Sequence, residues 1–126
     1  MTETAGAKLI VEKYYDGFRF YFDGSEDKRS WLVKHNDKLP WLAILVEEEK
    51  RQAINIIDIS YRDFDIVDIE GLFILLITRP QMVLRRLLGE KAQVNEVTIR
   101  YHYFERLEDF ESPSFKEMAE LGGEKQ

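Results

Sequence analysis

Residues 14–22 read YYDGFRFYF, in which six of nine positions are aromatic and the charged groups are Asp16 and Arg19. Flat rings beside a guanidinium suit stacking on bases and pairing with phosphate, the two contacts that hold a single nucleic-acid strand. Asp16-Gly17 at the centre predicts a type I′ hairpin turn, which needs positive φ at both central residues. Across that turn Tyr15 faces Phe18, Lys13 faces Phe20 and Val11 faces Phe22, while Tyr14 faces Arg19 and Glu12 faces Tyr21. The phenylalanine side is expected to be core. Ile10, Glu12, Tyr14, Arg19 and Tyr21 share the other side, a mixture of rings and charge that a core would not choose.

Two further segments carry the same chemistry. Residues 95–104 alternate, with Val97, Ile99, Tyr101 and Tyr103 on one side and Glu96, Thr98, Arg100, His102 and Phe104 on the other. If the outer sides coincide, Tyr14, Arg19, Tyr21, Arg100 and His102 form one surface. KRSWLVKHNDKLPW, residues 28–41, interleaves Lys28, Arg29, Lys34, His35 and Lys38 with Trp31 and Trp41. Ser25 can cap a helix running to about Asn36, whose spacing sets Trp31, Lys34, His35 and Lys38 on one side. The candidate nucleic-acid-binding residues are therefore Tyr14, Arg19, Tyr21, Trp31, Lys34, His35, Trp41, Arg100 and His102. The plainer alternative is structural: cross-strand aromatic pairs stabilise a sheet without any ligand, and tryptophan is more often core than platform. Arg85 and Arg86 could extend a basic patch or simply complement a helix dipole.

The elements that must position these residues can be read coarsely. Residues 9–15 and 18–23 form the N-terminal hairpin. PWLAILVEEEKRQAINIIDI, residues 40–59, admits a helix through EEEKRQ or two apolar strands joined there, and the strand reading is preferred. Residues 69–88 are helical in two pieces, with Thr78-Arg79-Pro80-Gln81 giving a capping-box-like start and a first-turn proline, and Gly89 a stop. The sum is an α+β fold: an antiparallel β-sheet with an N-terminal β-hairpin and helices packed on one side.

A chain of 126 residues with 44% hydrophobic content fits one domain. Residues 1–104 are expected to form it, followed by an acidic, partly flexible tail over 105–126. The net charge of −6 is concentrated there: seven acids against three bases give the tail −4, leaving −2 for the body. With no cysteine, disulfide scaffolds, thiol nucleophiles and cysteine-based zinc sites are excluded. The apolar run starting at Gly71 is too short to span a membrane, and MTETAGAKL has neither a basic nor an apolar leader segment, so a cytoplasmic location is expected. Asp63, Asp65, Asp68 and Glu70 could collect a divalent cation, although acids at a helix start need no metal to explain them. Two distant histidines without a serine or cysteine motif, and isolated glycines, point away from an enzyme and from any cofactor.

The aromatic-rich hairpin, the cysteine-free α+β domain and a charged fraction of 33% resemble the ThermoDBP-type single-stranded-DNA-binding proteins of thermophilic archaea. The resemblance spans roughly residues 8 to 104. It implies aromatics in a basic cleft against an antiparallel sheet, binding single-stranded DNA; the residues themselves point to a single-stranded nucleic-acid binder, of DNA or RNA, with little sequence preference. Type members dimerise through a C-terminal leucine zipper, whereas the tail here has no heptads, so a homo-oligomer would need another interface. The alternative reading is a protein-interaction or inhibitor module, with the acidic tail contacting protein partners.

Overall fold

The computed structural model of the chain describes residues 7–24, 29–35, 41–47, 53–89, 93–102 and 104–107. Six strands form one sheet: β1 (Ala7–Tyr14), β2 (Gly17–Asp23), β3 (Ser30–His35), β4 (Trp41–Glu47), β5 (Ala53–Ser60) and β6 (Val94–His102). Their order is β5-β4-β3-β2-β1-β6. The first five run as an antiparallel meander, and β6 closes the far edge parallel to β1. A parallel neighbour requires a long crossover. The 3₁₀ turn Tyr61–Phe64 and helices α1 (Ile69–Thr78) and α2 (Pro80–Leu88) supply it.

Those helices cover one face of the sheet. Leu9, Val11, Phe18, Phe20, Trp31, Val33, Leu42 and Ile44 point towards them and cluster with Leu72, Phe73, Leu76, Val83 and Leu84. Phe20 stacks on Trp31 with ring centroids 5.2 Å apart, and Phe18 meets Phe73 at 5.7 Å. Lys13 also lies on this face, nearly buried; its ammonium sits over the Phe73 ring, pairs with Glu70 at 3.1 Å and donates to the Tyr14 carbonyl.

The hairpin forms with its faces as expected, but its register differs. Val11 pairs with Phe20, Glu12 with Arg19 and Tyr14 with Gly17, so the two turn residues are Tyr15 and Asp16. A slip of two positions keeps every side chain on its own face. Gly17 lies inside β2 and outside the left-handed region; its reason for being glycine is space, since a Cβ there would sit 2.3 Å from the Val33 carbonyl oxygen. The turn is fastened by the chain after β6: Tyr15 N donates to the Glu105 carbonyl at 2.9 Å and Leu107 N to Asp16 Oδ1 at 2.5 Å.

The helix expected over residues 25–36 is a strand where the chain is described. Trp31 and Val33 point to the core and Leu32 and Lys34 away from it, a period of two that overrides the helical spacing of Trp31, Lys34 and His35. The preferred strands in residues 40–59 are β4 and β5, and residues 69–88 do form two helices divided at Arg79. Gly89 ends α2 at φ 72° as expected, but the start of α2 has no side-chain cap; Thr78 Oγ1 donates backwards to the Ile74 carbonyl instead.

Candidate nucleic-acid interface

On the face away from the helices, side chains align in rows across neighbouring strands. One row runs Leu32, Arg19, Glu12, Arg100 through β3, β2, β1 and β6; the next runs Lys34, Gly17, Tyr14, His102. Tyr21 stands one step along, opposite Ser30 and Ile10. The parallel pairing of β6 with β1 is what brings Arg100 and His102 into register with Glu12 and Tyr14.

Glu12 is the hub of this surface. Its side chain keeps 10% of its exposure, and an isolated carboxylate would not remain charged there without partners. Arg19 pairs with Oε1, Tyr14 OH donates to the same oxygen at 3.3 Å, and Arg100 and His102 approach Oε2 at 3.9 and 3.8 Å. His102 Nδ1 in turn lies 3.1 Å from Glu105 Oε1. The Tyr14 hydroxyl is pushed above its ordinary pKa by burial first and by the Glu12 charge second. Arg19 and Arg100 thus stand beside two carboxylates, Glu12 and Glu105, with His102 between the acids.

Two cation–ring pairs involve residues of this hairpin. The Arg19 guanidinium lies over the Tyr21 ring at 4.7 Å, and that of Arg106 over the Tyr15 ring at 4.7 Å. Tyr15 is 65% exposed, and Phe104 nearby in the chain is fully exposed. The sequence pattern sets Tyr15 on the core side opposite Phe18; in the structure it is a turn residue and exposed. No local sequence signal gives this placement, because Gly17 is required by its close approach to the Val33 carbonyl across the sheet.

Arg19, Tyr21, Lys34, Arg100 and His102 are thus brought together. Tyr14 joins them but is 5% exposed and stacked on His102, so it supports the surface rather than offering a ring to it. Trp31 is fully buried on the helix side and drops out of the candidate surface. His35 lies on the helix-side parity of β3, its Nδ1 2.6 Å from the Tyr61 hydroxyl. Trp41 opens β4 opposite Ser60, and its side chain lies outside the described set. Ile10, Leu32 and Ala43 are buried on the outer face, and among the described residues its accessible side chains include Arg19, Tyr21, Lys34, Arg100 and His102, with the acidic Asp58 exposed on β5.

Three of the four acids of residues 63–70 have local structural roles. Asp63 accepts from Ser60 N in a capping box, Asp68 caps α1 through Gly71 N at 3.0 Å, and Glu70 holds Lys13. Comparison of the chain with protein-family models, curated proteins and solved structures gave no match in any of the three.

Proposed function

We propose that this protein binds single-stranded nucleic acid along the β2-β1-β6 side of its outer sheet face. The observation that carries this reading is the pair of cation–ring units, Arg19 on Tyr21 on the outer face and Arg106 on Tyr15 at the hairpin turn, in a surface that also holds Arg100 and His102. A guanidinium laid on a ring extends the stacking surface: bases stack on rings and on guanidinium planes alike, and the cations face the phosphates. Glu12 fixes Arg19 in this posture before a strand arrives, which lowers the ordering cost of binding. Contacts of this type read no base edges, so little sequence preference is expected. Titration of a labelled oligonucleotide against Tyr15→Ala and Tyr21→Ala tests the reading: each variant should weaken binding, and intact affinity in both removes its basis.

A further inference from the structure

On the helix side of the molecule, away from the outer face, a groove of about 590 Å³ opens between α2 and the start of β6. Thr78, Arg79, Gln81, Arg85 and Arg86 supply its polar lining and Pro80, Met82 and Val94 its apolar wall. No acidic side chain lines it among the described residues. The arginines of the outer face are paired with Glu12; Arg79 and Arg85 show no ion pair among the described residues, although the chain carries 24 acids against 18 bases. Arg86 is fixed by donation to the Asp63 carbonyl and by its position over Phe64.

Three like charges along one groove repel each other, and a sequence with an excess of acid could relieve that locally at little cost. A groove that keeps them suits a ligand with several negative charges, for which planar guanidiniums give paired hydrogen bonds. The volume is in the range of small-molecule sites, and Pro80, Met82 and Val94 offer apolar area that a bare inorganic ion would leave unused.

The geometry points to a binding site for a nucleotide-sized organic polyphosphate, its phosphates on Arg79 and Arg85 and its organic part against Met82 and Val94. The assignment is independent of the outer-face reading, because the two surfaces share no residue. Calorimetric titration of the full chain with ATP in EDTA, and with inorganic pyrophosphate, tests it. Saturable ATP binding is expected, tighter than that of pyrophosphate and weaker by about tenfold or more in the double variant Arg79→Gln, Arg85→Gln, the loss of about two charge-assisted hydrogen bonds. Both arginines are exposed, so thermal unfolding of the double variant should match the parent and exclude misfolding as the cause. Arg100→Ala should leave ATP affinity unchanged. Absence of saturable ATP binding, equal affinity for pyrophosphate, or undiminished ATP affinity in the double variant would overturn the proposal, as would binding of an oligonucleotide but not ATP at these arginines.

Discussion

Tyr14 and His102 lie ring on ring, their centroids 4.8 Å apart and their planes 15° from parallel. The stack joins the ends of two parallel strands and aims the Tyr14 hydroxyl at Glu12. It makes Tyr14 part of the scaffold that holds the surface, and it gives the first prediction a defined origin.

Because burial and then the Glu12 charge raise the Tyr14 pKa, the fold favours the protonated phenol. The unfolded chain releases that proton near the ordinary value of about 10. Its contribution to stability is therefore complete below that pH and is lost as pH rises through the higher folded value. Tyr61 behaves likewise, with burial again the main cause. Denaturant midpoints measured across the alkaline range should fall less steeply for Tyr14→Phe than for the parent. Parallel curves would contradict the assignment.

Gly17→Ala should destabilise the protein by about 1–3 kcal/mol, the usual range for overpacking. The new Cβ would meet the Val33 carbonyl oxygen at 2.3 Å and the Leu107 side chain at 3.2 Å, and the first of these is backbone within a paired strand. Urea unfolding checks this; an unchanged midpoint would show that β3 moves away freely.

Arg19→Ala should cost more stability than Arg100→Ala. Arg19 is the close partner of the nearly buried Glu12, while Arg100 is 54% exposed and 3.9 Å away. Removing the close partner of this nearly buried carboxylate is expected to cost about 1–3 kcal/mol, whereas the looser, exposed pair contributes about 0–1 kcal/mol. Replacing Glu12 with Gln in the Arg19→Ala background should recover part of the loss, which a double-mutant cycle measures. Equal losses in the two arginine variants would remove Glu12 from the centre of the cluster.

The division of the hairpin into a core side and an outer side was legible because strand periodicity survives a register slip of two. The position of the turn was not legible: Asp16-Gly17 carries the signature of a turn, but Gly17 is demanded by Val33 across the sheet, a contact made by a distant segment. β3 was misread as helix because Ser25 suggests a cap and Trp31, Lys34 and His35 have helical spacing. Tertiary pairing with β2 and β4 decided otherwise. Glu12 stood in the sequence as one polar residue among rings. Its role depends on β6 lying beside β1, an arrangement set by the helical crossover and invisible to local pattern.

On the proposed function Tyr21 serves a ligand, whereas Phe20, its neighbour in sequence, serves the core. Titrating a fluorescent single-stranded oligonucleotide into the parent, Tyr21→Ala and Phe20→Ala at several salt concentrations tests this most directly. Parent affinity should fall with salt with a log–log slope of about −0.7 per phosphate neutralised. Tyr21→Ala should lose about 1–3 kcal/mol of binding while remaining folded, the worth of one stacked base. Phe20→Ala should lose about 3–5 kcal/mol of stability, since it leaves Trp31 facing a void. No measurable binding by the parent, or a Tyr21→Ala variant that binds as well as the parent, would contradict the account.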